Sequence, residues 1–397
     1  MNIIIVSNFP ADLDGKSYGR FTYLAEMLSE QGHNVELITS TFMHSLKKQR
    51  EIVSGIFKSK ITLIYEPGYK KNVCLERFKS HYIWGNNVYK YLKSLNIKPD
   101  IIYCAIPSMT VSVKCAKYCK KNNIKYVIDI QDLWPEAFSM IIRNKILQPL
   151  FKPFEWYVNK AYKAANIIIA VSQTYVDRAI KVNKKFNKSL YVFLGNDGQL
   201  FDIGKAEYKI LKNDREIQIG YVGSMGDSYD IKCIISAISI VQESGFVNKD
   251  IRFVLCGTGE KHKEFEDYAN EKNINANFLG YKPYKEMVGI LCSCDIVVNP
   301  IVKGSAASII NKVGDYALSG RPVINTQECQ EYRNLIDEYQ CGINCECENA
   351  EDVANAIIKL CLDENLREKM GKNHRKLGNE RFDRRKTYQK IIDSILN

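Results

Sequence analysis

Short apolar runs alternate with amphipathic stretches along nearly the whole chain. Asn2–Ser7 is an apolar run of strand length, and Tyr18–Gln31 places Phe21, Leu24, Ala25 and Leu28 on one helical face before stopping at Gly32. Val35–Thr39, Asp100–Ala105, Lys125–Ile130, Ile167–Val171 and Leu190–Leu194 read as further strands, and Ser112–Lys121 reads as a helix between two of them. Strands alternating with helices in this way predict a parallel, doubly wound α/β sheet.

The pattern then restarts. Asn196-Asp197-Gly198 is a turn cluster, and the polar stretch that follows to Arg215 reads as a linker. Beyond it come strands at Ile217–Val222, Arg252–Cys256, Ala276–Leu279 and Ile296–Asn299. Helices over Ile231–Glu243, Lys261–Lys272 and Tyr284–Cys292 separate them. Lys303–Ser319 carries a helix start and a lone acid, Asp315, near the helix end, then a Gly-Arg-Pro turn into Val323–Asn325. The last 45 residues read as helical. Two α/β halves predict two domains with a cleft between them, as the length of 397 residues also suggests.

Composition narrows the function classes. With 46% hydrophobic and 25% charged residues, the chain has the make-up of a globular protein. No apolar run reaches the length of a membrane span. The N-terminal MNIIIVSNFP lacks a basic leader and enters a strand at once, so a cytoplasmic protein is expected. Thirteen scattered cysteines and five histidines show no zinc spacing, and reduced buried thiols are expected.

The formal charge of +11 is unevenly spread, with twelve Lys/Arg against three Glu between Thr41 and Lys98. Phe42, Phe57, Tyr65, Tyr69, Phe78, Tyr82, Trp84, Tyr89 and Tyr91 are interleaved with them. Two readings fit: peripheral contact of region 41–98 with an anionic inner membrane or a lipid diphosphate, or a solvated basic face over an aromatic core. No nucleic-acid motif accompanies the charge, so no nucleic-acid partner is expected.

The candidate chemistry sits at predicted strand ends. Gly15 and Gly19 precede the first helix, where backbone N–H groups can cradle a phosphate. Gly223-Ser224-Met225-Gly226, Gly257-Thr258-Gly259 and Gly280-Tyr281-Lys282-Pro283 each follow a strand of the second half, and together they suit a nucleotide. Asn311, Lys312 and Asp315 fall where a helix faces the carboxyl edge of that sheet. In the first half, Asp129-Ile-Gln131-Asp132-Leu-Trp134-Pro-Glu136 follows a strand. It either holds sugar hydroxyls, or Asp132 merely caps a helix with Pro135 in its first turn.

Taken in order, these segments resemble glycosyltransferase family 4, the retaining, metal-independent GT-B enzymes of bacterial capsule, O-antigen and exopolysaccharide assembly. The resemblance covers essentially the whole chain: the glycine-bearing first loop before LAEMLSEQGHNVELIT, DLWPE, Leu194–Phe201, YVGS, CGTGE, FLGY, NPIVKGSAASIINKVGDYALSGRPVI and a closing Arg381-Phe382 helix. It implies two Rossmann-like domains facing across a cleft. Residues 1–196 would serve the acceptor, 197–379 would bind the donor, and helix 380–397 would pack back on the first domain.

By this resemblance Asp315 holds the donor ribose, Lys312 meets the diphosphate, and Gly280–Pro283 receives the base. Gly15 and Gly19 approach the donor phosphate, and Gln131 stands where the family often has a sugar-contacting His. Asp132 would orient or help deprotonate the acceptor, with Trp134 and Glu136 beside it. The family's usual pair of glutamates becomes Ala307 and Asp315, and its usual Arg and Lys become Ser224 and Tyr229, so Lys303 or Lys312 would supply the missing positive charge. The implied donor is a nucleotide sugar, UDP-linked and of hexose or N-acetylated amino-sugar type, and the acceptor is a lipid-linked or glycan hydroxyl. No cofactor or metal is expected, since no D-x-D motif is present. A nucleotide-sugar epimerase of the same fold and a non-catalytic partner in polysaccharide assembly are the alternatives.

Overall fold

The computed structural model describes residues 1–10, 13, 19–50, 56–71, 74–136, 152–208, 213, 215–304 and 309–397. The chain divides into two compact units, Met1–Val192 with Lys390–Asn397, and Phe193–Gln389. Among the described residues, no helix is long and apolar enough to cross a membrane.

The first unit opens with β1 (Asn2–Val6), α1 (Arg20–Glu30) and β2 (Asn34–Ser40). A small hairpin, β3 (Phe42–Met43) with β4 (Lys48–Gln49), precedes β5 (Lys60–Ile64) and α2 (Leu75–Ser94). Then come β6 (Ile101–Ile106), α3 (Met109–Asn122), β7 (Lys125–Ile130), α4 (Lys152–Ala164), β8 (Ile167–Ala170), α5 (Gln173–Ile180) and β9 (Lys188–Tyr191). Seven strands form one parallel sheet in the order β5-β2-β1-β6-β7-β8-β9. All six residues of β6 are buried, as a central parallel strand covered on both faces requires.

A buried ion pair ties this sheet to its first helix. Arg20, the first residue of α1, donates from Nε to Asp129 Oδ2 at 2.7 Å and from Nη2 to Oδ1 at 3.3 Å. Its Nη1 donates to the Val192 carbonyl at 2.8 Å. Asp129 also accepts from the Tyr103 hydroxyl at 2.5 Å and from Gln131 Nε2 at 2.7 Å. Both partners are fully enclosed, so the pair survives only because its donors and acceptors are matched.

The second unit follows with α6 (Gly198–Glu207), β10 (Glu216–Val222), α7 (Ile231–Ser244), β11 (Asp250–Cys256), α8 (His262–Glu271), β12 (Ala276–Phe278), α9 (Tyr284–Ser293) and β13 (Ile296–Asn299). It continues through α10 (Val313–Ser319), β14 (Val323–Asn325), α11 (Gln330–Tyr339), β15 (Gly342–Asn344), α12 (Ala350–Leu362) and α13 (Glu364–Leu377). A π-turn at Gly378–Phe382 leads into α14 (Arg384–Leu396), whose last residues belong to the first unit. Its parallel sheet runs β12-β11-β10-β13-β14-β15. Strand order reverses between β10 and β13, and in the first sheet between β1 and β6. Such switch points open a crevice at the carboxyl ends of the strands.

Three expectations change. The stretch after Asn196 is not a plain linker but contains α6. Asp197 caps that helix by accepting from Leu200 N at 2.9 Å, Phe201 is fully buried, and Gly204 lies directly on the backbone of Lys285. One aromatic and one glycine hold this helix, too little apolar periodicity to read. Asp315 lies in the first turn of α10 rather than near its end, because the helix begins only at Val313. The edge strand β5 and the 20-residue α2 fall in the basic stretch, where charge hides the Trp84, Val88, Leu92 repeat that buries α2.

Replacing Asp129 by alanine leaves the Arg20 guanidinium enclosed without its carboxylate. We expect a loss of about 3–5 kcal/mol in denaturant unfolding of Asp129→Ala, and a smaller loss for Asp129→Asn, which keeps an acceptor. Equal, small losses in both variants would show that the pair is not a structural requirement.

Candidate functional site

At the switch point of the second sheet three loops stack on one another. Gly223 N donates to the Cys256 carbonyl at 2.9 Å, and Gly257 N donates to the Gly280 carbonyl at 2.8 Å. A Cβ on Gly257 would lie 1.7 Å from the Gly223 carbonyl oxygen, so no side chain fits there. Gly259 packs against the Met225 backbone with a Cβ position only 2.1 Å from its oxygen. The glycines expected to bind a nucleotide are thus brought together along one edge.

Lys312 reaches this edge from the other side of the switch point. It immediately precedes α10, and its Nζ lies where a Cβ on Gly223 would be, 1.7 Å from the ideal Cβ position. The ammonium sits 4.2 Å from the ring centre of Tyr229 and 5.5 Å from that of Tyr221. It is buried and, among the described residues, has no hydrogen-bond acceptor. Burial pushes its pKa down to about 8, with Asp315 opposing the shift. Four residues on, Tyr316 clasps the end of β10: its hydroxyl donates to the Val222 carbonyl at 3.0 Å and accepts from Val222 N at 3.1 Å. That clasp fixes α10 against the strand that carries Gly223.

Asp315 is buried as well, and burial pushes its carboxyl up to about 6 against the hydrogen bonds from Tyr284 and Asn196. The Tyr284 hydroxyl donates to Oδ1 at 2.9 Å, and Asn196 Nδ2 donates to the same oxygen. Oδ2 has no hydrogen-bond partner among the described residues. A carboxylate with one oxygen pinned and the other open suits a diol, and an unpaired ammonium a few residues away suits an anion. The sequence reading missed Asn196, Tyr284 and Tyr316. The only signal for Tyr284 was its place at the start of a helix after the Gly280 loop.

The remaining residues expected in this unit are dispersed. Ser224 is exposed, and its carbonyl accepts from the Tyr221 hydroxyl at 2.5 Å. Tyr281 is largely exposed beside Gly280, and Asn311 is exposed just before Lys312. Lys303 is exposed too; its backbone N–H donates to Glu348 at 3.2 Å, and the structure gives it no contact with Gly223 or Asp315. Among the described residues no group of three or more His, Cys, Asp or Glu could hold a metal ion.

In the first unit, Gly19 caps α1 in an extended conformation, while Gly15 lies outside the described residues. Gln131 is drawn onto Asp129 as described above. The helix that Asp132 would cap lies outside the described residues; Asp132 Oδ2 accepts from Trp134 Nε1 at 3.1 Å. Burial raises its pKa, opposed by that hydrogen bond, a backbone hydrogen bond and the charge of Arg77. The Trp134 ring stacks on His81 at 5.7 Å, and the Arg77 guanidinium lies 4.3 Å from its centre. Arg77 also lies within 6 Å of the Phe9 and Tyr69 rings. Burial holds His81 down at about 3, so its 3.9 Å approach to Glu66 involves a neutral imidazole. Glu136 pairs with Arg178, which also reaches Asn159 at 3.0 Å. Part of the basic aromatic stretch therefore turns inward around Asp132 and Trp134; Phe42, Tyr69 and Trp84 are buried, whereas Tyr65 and Tyr82 are exposed.

Comparison with known proteins agrees with this geometry. A family model for glycosyl transferases group 1 matches residues 202–377, and one for glycosyltransferase family 4 matches residues 20–188. An uncharacterised glycosyltransferase of Methanocaldococcus jannaschii, MJ1178, is 25% identical over 263 residues, which is 65% of this chain and 64% of that protein. The chain spans 64% and 60% of the lengths of the two curated relatives it matches. Among solved structures, Anabaena HepE in complex with UDP superposes with a TM-score of 0.68 at 16% identity, covering 100% of this chain and 99% of that one. WaaG, a glycosyltransferase involved in lipopolysaccharide biosynthesis, superposes with a TM-score of 0.63 at 14% identity, covering 99% of each chain. These likenesses show the fold, GT-B.

An enclosed ammonium that, among the described residues, meets no hydrogen-bond acceptor costs stability. Lys312→Met keeps the packing on Gly223 and removes the charge, and should raise unfolding stability at neutral pH by roughly 1–3 kcal/mol. The sign of the pH dependence follows. The folded-state pKa of about 8 lies below the ordinary 10.5, so the folded protein gives up this proton first. Wild-type stability gains from Lys312 as pH rises from about 8 toward 10.5, and this gain is absent in Lys312→Met. A loss of stability in Lys312→Met would show that the ammonium has a partner that supports the fold.

Proposed function

The chain belongs to glycosyltransferase family 4, and from that premise we propose that it moves a sugar, with retention, from a nucleoside diphosphate donor to a hydroxyl acceptor. The observation that carries this reading is the Lys312 ammonium, buried against Gly223 at the switch point with no hydrogen-bond acceptor among the described residues. The diphosphate would supply the missing anion. The open Oδ2 of Asp315 would take the ribose hydroxyls, and the Gly280–Tyr281 loop would meet the base. A UDP-linked donor is favoured because HepE, of the same fold, has been seen with UDP and with UDP-glucose.

In the proposed reaction the bond from the anomeric carbon to the phosphate oxygen breaks and a bond to the acceptor oxygen forms. The transition state resembles an oxocarbenium ion, and negative charge builds on the departing diphosphate. Lys312 faces that charge from a low-dielectric site, where one positioned cation is worth most. This supply of positive charge supports a reaction without a divalent ion. The acceptor proton passes to the leaving phosphate or to Asp132, whose raised pKa suits it to receive one. The acceptor would be a lipid-linked or glycan hydroxyl of bacterial surface polysaccharide assembly, reached from the cytoplasmic side of the inner membrane.

The test begins with thermal shifts by UDP, GDP, CDP and ADP without added metal. UDP should raise Tm, Lys312→Ala should abolish the shift, and EDTA should leave it unchanged. The ligand raises the proton affinity of Lys312, so UDP affinity should fall as pH rises through about 8. No shift with any nucleotide sinks the proposal. With UDP-sugars and acceptor, Asp132→Asn should keep the UDP shift and lower kcat by about 10²-fold. Isomerised donor without UDP release would instead mark an epimerase.

A further inference from the structure

The first unit holds a second feature, on the opposite edge of its sheet from Asp132. The last turns of α3 and α4 and the amino ends of β7 and β8 enclose a pocket of about 770 Å³. Lys117 and Lys120 of α3 and Lys160 and Lys163 of α4 line it, with Tyr126 and Asn166. Among the described residues, no carboxylate lines it. The two helices carry Lys114, Lys117, Lys120, Lys121, Lys152, Lys160 and Lys163 against the single acid Glu155.

The charge balance decides what such a pocket takes. Each helix carboxyl end contributes about half a negative charge, which helps to hold the lysines there. Four ammonium groups outweigh those two half-charges severalfold. Four like charges around one pocket repel one another, and an anion bridging them removes that repulsion. The size admits a phosphorylated headgroup rather than a single small ion.

The rim identifies the source. Trp156 is 65% exposed, and Lys160 Nζ stands 3.6 Å from its ring centre. Phe154, two residues earlier, lies on another side of α4, where its ring meets Phe78 at 5.7 Å. Exposed tryptophan beside lysine is the pairing that settles at a lipid–water interface, the ring among acyl chains and the ammonium at the phosphates. We propose that the pocket between α3 and α4 binds the phosphate headgroup of an anionic lipid, with Trp156 entering the interface beside it. This places the membrane contact on α3 and α4, outside the basic stretch at 41–98, and it is independent of the donor site.

The experiment is co-sedimentation of the full chain with vesicles of phosphatidylglycerol and phosphatidylcholine, against phosphatidylcholine alone. Wild type should bind only the anionic vesicles, and high salt should weaken binding. The variant Lys117→Gln/Lys120→Gln/Lys160→Gln/Lys163→Gln should lose at least about tenfold in partitioning, and Trp156→Ala a few-fold. The control Lys70→Gln/Lys71→Gln/Lys79→Gln/Lys90→Gln should stay within about twofold of wild type. Pocket variants that bind as well as wild type, or loss confined to the control, would overturn the proposal. So would a wild type that ignores anionic vesicles. A calorimetric titration with pyrophosphate separates the sources: binding there with the same lysine dependence, and none to vesicles, keeps the phosphate chemistry and overturns the lipid. The UDP shift, measured on the same variants, reports folding and the donor site separately.

Discussion

The close approach of Gly223, Gly257 and Lys312 sets what the second unit can do. Parallel strands β10 and β11 end together, and the loops that follow are packed so tightly that a single added methyl on Gly257 would meet a carbonyl. That compression leaves one gap, above Gly223, and Lys312 fills it from the segment after β13. Only the reversal of strand order at β10 and β13 brings these two loops side by side. Tyr316 then locks the arrangement, because its hydroxyl both gives and takes a hydrogen bond at Val222.

Much of this was legible in the residues and some was not. Buried parallel strands declare themselves as apolar runs, and Ile296–Asn299 and Val323–Asn325 were read with their observed bounds. Elements held by a few contacts did not: α6 rests on Phe201 and Gly204, and α2 on a repeat hidden among charges. In the site, glycines at strand ends were readable because the constraint is local. The pairing of Asp315 with Asn196 and Tyr284 was not, since it depends on packing between segments far apart in sequence. Nor could spacing show that Asp129 and Asp132, three residues apart, differ so sharply. Alternation along a strand turns Asp129 inward onto Arg20, while Asp132 lies beyond the strand end.

The family comparison sharpens the role of Lys312. Where relatives are expected to carry basic residues after the first strand of this unit, the chain has Ser224 and Tyr229. The structure brings Lys312, from a different element, against Gly223, with the Tyr229 ring centre 4.2 Å from its ammonium. A tyrosine face attracts a cation and tolerates its burial, which an aliphatic residue would not do.

Lys312 differs from the paired buried charges elsewhere in the chain, and the contrast argues for function. In the first unit Arg20 meets Asp129 and Arg178 meets Glu136, so each cation is neutralised where it lies. Such pairs arise whenever folding must enclose a charge. In the second unit Lys312 is enclosed and, among the described residues, has no hydrogen-bond acceptor, and Asp315 Oδ2 has no hydrogen-bond partner there. Burial penalises both groups in the free protein, as their displaced pKa values record. Folding alone gives no reason to keep a lysine there, because a methionine would fill the same gap at lower cost. The proposed donor diphosphate is an anion that would complete the arrangement from outside.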